Sequence, residues 1–345
     1  DGSEWKEIQQ LDSSPINEVD ERLTSQLAQT SAEVTETQRG LNYYWIPPQQ
    51  PPARDDEEGY FIDAFKKDAD HYINEYFEPL RMSDRNYIHR SSLGKDQSGT
   101  YDVWKYEFVP ENYQKTIVIT SCMHGSEVTL MVAMIRFLHY LVNDWEKYPE
   151  LAYIRENVRL IYVPILNPWG VSQTPRTRQN SNGVDINRNF DYKWSEASEG
   201  EPFDHDYKGT SPFSEVETQY VRELIQSHPD AVAYIDFHNT GSPSRDYFMY
   251  LPEDWDYQTY EKLTTYFTRN IDEPDIYYNF SSEPTASNYV LSTHGIPASH
   301  PEWADGRFSE RKHDSGDVTK SLEWVANVII EHSREFQKKE TFVIE

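Results

Sequence analysis

The sequence is poor in cysteine: Cys122 is the only one in 345 residues. A single thiol excludes an internal disulfide framework. Lying in the apolar run ahead of His124, it reads as a small buried hydrophobe and not as a nucleophile. Basic residues are also scarce, 32 Lys and Arg against 59 Asp and Glu, for a net charge of −27. No basic stripe is offered to nucleic-acid phosphates, and an anionic membrane surface would repel the chain. The charge reads as solubility through self-repulsion. Apolar residues make up only 37% of the chain, and aromatics, at 14%, compensate in part because each buries a large area. No run approaches the ~18 consecutive apolar residues of a membrane span. An initiator Met and a signal-peptide pattern are missing too. The chain starts at Asp1, as a fragment or a processed product would.

What is present falls into three parts. Residues 1–45 are polar, with Ile16, Val19, Leu23, Leu27 and Val34 forming a narrow helical stripe. Such a leader suits an oligomerising helix or a poorly ordered extension. The segment 46–59, "IPPQQPPARDDEEG", combines four prolines with a charge run and reads as a stiff linker. From Tyr60 to Glu345 the texture is globular. "YFIDAFKKDADHYINEYFEPLRM" predicts an amphipathic helix, and "TYDVWKYEFV" a strand with one face buried, Val103, Lys105 and Glu107 alternating with Trp104, Tyr106 and Phe108. "KTIVITSC", "VRLIYVPIL", "DAVAYIDFH" and "YFMYLP" predict buried strands. Helices are expected after His124, over "SEVETQYVRELIQSH", near 256–270 and 284–292, and over 317–338. Buried strands alternating with helices indicate an α/β fold: a mixed, mostly parallel sheet covered by helices on both faces.

Chemistry in such folds gathers at strand ends. "MHGSE" ends one buried strand and places His124 and Glu127 three residues apart across a glycine. An imidazole nitrogen and a carboxylate oxygen together suit zinc, although two ligands alone are weak evidence. A catalytic zinc needs a third protein ligand, and His238, ending another apolar strand, is the candidate. Adjacent parallel strands would bring both ends to the same edge of the sheet. Between them runs a polar Gly- and Asn-rich loop, 167–194, holding Arg176, Arg178 and Arg188. Three guanidinium groups in so acidic a chain suggest an anionic partner, since the guanidinium fork matches a carboxylate bidentately.

The motifs "HGSE", "NPWG", "RQN", "GVDINRNF", "YKGTSPFSEVE", "IDFH" and "GIPASHPE" follow one another in this order over about 60–340. The set resembles the zinc metallocarboxypeptidases of the carboxypeptidase A type, whose fold is the α/β sheet expected above. The resemblance implies one Zn²⁺ per chain, held by His124, Glu127 and His238. It further implies that Asp185 orients His124, that Arg178 polarises the scissile carbonyl, and that Asn187 and Arg188 grip the substrate's terminal carboxylate. Glu302 would be the general base. The substrate-capping tyrosine of the family has no gap-free match, and Tyr277 and Tyr278 both stand as candidates. Pro301 beside Glu302 is unfavourable inside a central strand, so this strand is expected at an edge or distorted.

The stretch 91–108 with its polar leader is also similar to tail-associated peptidases of phages infecting Gram-positive bacteria. That similarity implies a murein stem-peptide substrate, a larger tail assembly or oligomer formed through the N-terminal helix, and action at the bacterial wall. A cytoplasmic or secreted carboxypeptidase is the alternative. An amidohydrolase or deacylase on the same scaffold, and a non-catalytic tail component with a relic metal site, are the other readings of the same residues.

Overall fold

The computed structural model describes residues 47–48, 67–239, 247–252, 276–303 and 315–333. The chain divides at Tyr43/Tyr44, and all of the described residues belong to the second unit. The predicted leader, the linker apart from Pro47 and Pro48, and the helix near 256–270 lie outside the described residues.

The framework is one sheet of β1 (Ile88–Lys95), β2 (Asp102–Phe108), β3 (Lys115–Ser121), β4 (Val158–Val163), β5 (Ala233–Asn239), β6 (Tyr247–Pro252), β7 (Ile276–Ser281) and β8 (Ala298–Trp303). Their order is β1-β2-β4-β3-β5-β8-β6-β7. The centre, β4-β3-β5-β8, is parallel throughout. The β1–β2, β2–β4 and β6–β8 pairs are antiparallel, and β6–β7 is parallel. This is the expected mixed sheet.

The apolar strands read as continuous runs because both faces are covered. Ile117 and Ile119 of β3, Leu160 and Tyr162 of β4, and Ile235 and Phe237 of β5 enter one core with α1 (Thr129–Asn143) and α4 (Ser315–His332). Val118, Ile161, Val163 and Tyr234 enter the other, with α2 (Val216–Ser227) and α3 (Ala286–His294). Burying each Val, Leu or Ile contributes about 1.5–3 kcal/mol. A core of this size holds the fold without help from an ion. The predicted helix over 60–82 is described from Ala69, runs to Ser83, and is interrupted by a π turn at Ile73–Phe77. No helix among the described residues is long and apolar enough to cross a membrane.

One expectation needs correction, and one is met in the second of its two forms. In β2, Val103 is buried in the second core, while Tyr106 and Phe108 are buried in the first. The strand therefore contributes to both faces. Strand β8 is not an edge: it lies between β5 and β6. Its distortion is local. Ladder pairs join Tyr234 to Ala298, Ile235 to Ser299 and His238 to Glu302, and pairing lapses at His300 and Pro301 on the β5 side alone, both residues being paired with β6. Proline has no N–H to give to the ladder, so the gap falls where the sequence requires it.

Candidate metal centre and active site

Strands β3, β5 and β8 run parallel, so their C-terminal ends open on one edge of the sheet. The turn after β3 carries His124 and Glu127, and closes with Glu127 N–H donating to the His124 carbonyl at 3.0 Å. Glycine is required between them. A Cβ on Gly125 would stand 2.2 Å from the Gly170 carbonyl carbon, inside the neighbouring "NPWG" turn. His238 arrives at the end of β5. The ligand atoms of His124, Glu127 and His238 all lie within 4.8 Å of one another.

The orientation of the two rings is fixed from outside. His124 Nε2 is 3.0 Å from Asp185 Oδ1, and His238 Nε2 is 2.7 Å from Asp236 Oδ2. Both carboxylates are fully buried. Each ring therefore carries an N–H at Nε2 and turns its Nδ1 inward. The two Nδ1 atoms are 3.2 Å apart, and Glu127 places Oε1 2.8 Å from one and Oε2 2.9 Å from the other. The two Nδ1 atoms and both Glu127 oxygens thus converge on one point, where Arg178 Nη1 also comes within 3.1 Å of His124 Nδ1. Two ligands of one tetrahedral zinc, with bonds of about 2.0–2.1 Å, stand about 3.3 Å apart. The donor set fits zinc.

The electrostatics agree. Burial alone would raise Asp185, Asp236 and Glu127, yet all three are held below the usual carboxylate range. Asp185 is lowered by His124 and Arg178, Asp236 by His238, and Glu127 by both histidines. Burial pushes His238 down, but Asp236 and Glu127 outweigh it and raise it to about 10. Metal binding at His238 would have to displace this proton, so zinc affinity should fall as pH drops.

Asp236 was not read from the sequence as a site residue. The signal was there: in "IDFH" it is an acid in a buried strand, two residues before a histidine and so on the same face. Its second oxygen accepts from Thr120 Oγ1 at 2.6 Å.

The loop 167–194 brings the remaining candidates to the same edge. Arg178 Nε donates to Asp185 Oδ2 at 2.8 Å, and Nη1 lies 3.4 Å from Glu127 Oε1. Asp185 caps the turn Ile186–Arg188 by accepting from Asn187 N–H. Asn187 Nδ2 then lies 3.4 Å from His238 Nε2, while its Oδ1 accepts from Ala286 N–H. Arg188 reaches outward, with Nη2 3.1 Å from Asp206 and Nε 3.1 Å from Glu283. Arg176 is not part of the cluster. It donates to the Lys67 and Val171 carbonyls and to Tyr72 Oη, and so braces the first helix. Glu302 ladders directly against His238. Tyr277 and Tyr278 lie on β7, separated from β8 by β6.

The "RQN" and "SEVE" motifs brace this loop from beneath. Asn180 Oδ1 accepts from Asn182 and Val184 N–H, and its Nδ2 donates to Glu215 and Glu217. Burial raises Glu217 to about 7. Its folded pKa thus exceeds the ordinary 4.5, so the native state binds more protons between these values. The stabilisation is complete below about pH 4.5 and is lost as pH rises through about 7, on the order of 3 kcal/mol in all. Glu217→Gln should flatten this part of the slope. Denaturant unfolding of parent and variant at pH 5 and 8 checks it; equal pH dependence in both would remove Glu217 as the cause.

A model of the zinc carboxypeptidase family matches residues 75–321. The chain belongs to the zinc carboxypeptidase family. Its cofactor is one zinc ion. Carboxypeptidase B of Helicoverpa zea is 32% identical over 152 residues, 39% of this chain and 34% of that protein. An inactive metallocarboxypeptidase, ECM14 of Paracoccidioides brasiliensis, is 26% identical over 156 residues, 40% of this chain and 26% of that protein. The match spans about a third or less of these relatives' length. Among solved structures, carboxypeptidase A from Helicoverpa armigera superposes with a TM-score of 0.62 at 19% identity, covering 78% of this chain and 73% of that one. A metallo-carboxypeptidase from Burkholderia cenocepacia does so at 0.58 and 16%, covering 76% and 68%. These likenesses establish the carboxypeptidase fold. Since the family holds a relative named inactive, membership alone does not decide catalysis; the residues of this chain must.

Proposed function

We propose that this zinc carboxypeptidase family member is an active exopeptidase, hydrolysing the C-terminal peptide bond of a substrate with a free terminal carboxylate. The observation that carries the reading is the convergence on one sheet edge of a complete His–Glu–His donor set, a carboxylate laddered against one of its histidines, and Asn187 beside it, with Arg188 next in the chain at the rim.

His124, Glu127 and His238 would hold the zinc, with Asp185 and Asp236 fixing the two rings. When bound, zinc supplies Lewis-acid chemistry, polarising a carbonyl and making water nucleophilic near neutral pH. Glu302 takes the proton from the attacking water and delivers it to the leaving amine nitrogen. Arg178, anchored through Nε and Nη2 on Asp185, would turn Nη1 from Glu127 and His124 to the oxyanion once the metal holds those two ligands. Asn187 and Arg188 bind the terminal carboxylate through charge-assisted hydrogen bonds. A deacylase would have no use for that last pair, which favours the exopeptidase. The leader and linker behind the wall-directed, tail-borne context lie outside the described residues.

Arg188 already faces two half-exposed carboxylates, Asp206 and Glu283, which compete with an incoming substrate carboxylate. Exposed pairs are worth about 0.2–1 kcal/mol. Asp206→Asn should therefore lower KM for free-acid peptides by about 1.5–5-fold with kcat little changed. A raised KM would mean that Asp206 positions Arg188 and does not compete for it.

The reading as a whole is tested by incubating the zinc-loaded chain with free-acid peptides. Release of single C-terminal residues, abolished by chelation and restored by zinc, is expected. Hydrolysis that survives complete removal of the metal would reject it.

A further inference from the structure

We propose that His300 is a positioning residue for Glu302, setting the direction of the general base by donating its Nε2–H to Oε1. The inference rests on the exopeptidase reading of Glu302. The two residues are two apart on β8 and so share a face. His300 Nε2 lies 3.2 Å from Glu302 Oε1, within reach but off the line of a hydrogen bond, so a small turn of the Glu302 side chain completes it. The imidazole is buried, and its ring lies on the ring of His238, with centroids 4.0 Å apart and planes inclined by 33°. His238 is itself clamped between Asp236 at 2.7 Å and Glu127 at 2.9 Å. The orientation of the His300 ring is thus inherited from the metal scaffold.

Glu302 needs such a partner. Its backbone is paired with His238 on one side and Phe248 on the other, which fixes the Cα but leaves the side chain free to turn. A glutamate also has rotatable bonds of its own, and a base must sit within hydrogen-bond reach of the proton it removes. A donor on Oε1 selects one rotamer and leaves Oε2 for proton transfer. Outer partners of this kind change activity by about 10–100-fold when removed. The "SHPE" sequence therefore has a reason: it sets the histidine two residues before the base, on the same face of the strand.

Two variants and one spectrum test this in the full chain. His300→Phe keeps a buried ring against His238 but has no donor; His300→Gln loses the ring but keeps an N–H. His300→Phe should bind one zinc and keep KM within about threefold, while kcat falls by about 10–100-fold. His300→Gln should recover kcat to within about fivefold of the parent. In ¹⁵N-resolved histidine spectra His300 should be protonated at Nε2, and Glu302→Ala should shift that resonance. Parental kcat in His300→Phe, a loss that tracks lost zinc, no recovery with Gln, or protonation at Nδ1 alone would each overturn the proposal. If the parent hydrolyses no peptide, the exopeptidase reading fails on its own and the spectrum still decides the placement of His300.

Discussion

Glu302→Gln should leave one zinc per chain and near-parental affinity for a free-acid peptide, while turnover falls by about 10²–10⁴-fold or more. The expectation follows from position. Glu302 ladders against His238 but is not one of the three residues whose ligand atoms converge. Removing its charge should therefore spare the metal and stop the chemistry. Glutamine keeps the volume and one acceptor oxygen but cannot take a proton. The signature is a fall in kcat with little change in KM, which marks an interaction used only in the transition state. Measuring zinc by mass spectrometry of the metal and substrate affinity by calorimetry on the same preparation separates the roles. Loss of zinc from Glu302→Gln would move Glu302 into the metal site, and retained turnover would end its assignment as the base.

His124→Ala should lose stoichiometric zinc and all measurable hydrolysis, while the thermal transition of the fold is largely preserved. Removing one of three protein ligands leaves an inadequate donor set. The fold survives because its two cores lie to either side of the sheet and do not depend on the ion. The carboxylates behind the ligands grade this effect. Asp236→Asn and Asp185→Asn should each weaken zinc by about 10–100-fold without abolishing it, because the amide no longer enforces the Nε2–H tautomer. Stoichiometric zinc in His124→Ala would refute the ligand assignment, and unchanged affinity in both Asn variants would remove the argument from ring orientation.

The central strands and the ligands were legible because the physics that makes them is local. Runs such as "KTIVIT" and "DAVAYID" can only be covered on both faces, and an imidazole at the end of each is conspicuous. Other features depend on the tertiary surroundings. Strand β1, "IHRSSLGK", is polar and largely exposed at the sheet edge, so its sequence carries no buried pattern. Asp236 hides inside an apolar run and acquires a role only when Thr120 and His238 meet it. The three arginines of 167–194 look alike in sequence. The fold sends Arg176 to Tyr72, Arg178 to Asp185 and Arg188 to the rim, and only contacts distant in the chain distinguish them. The prolyl strand β8 was expected at an edge or distorted; the sheet keeps it inside and absorbs the missing N–H as a gap in the ladder.

The most direct test of the exopeptidase assignment is a matched pair of peptides, identical except that one ends in a free carboxylate and the other in an amide. Each is incubated with the zinc-loaded chain and followed by time-resolved mass spectrometry. Asn187 beside the His124–Glu127–His238 cluster and Arg188 at its rim predict stepwise loss of single residues from the free acid and little or no cleavage of the amide. Equal cleavage of both peptides, or cuts at internal bonds, would contradict it.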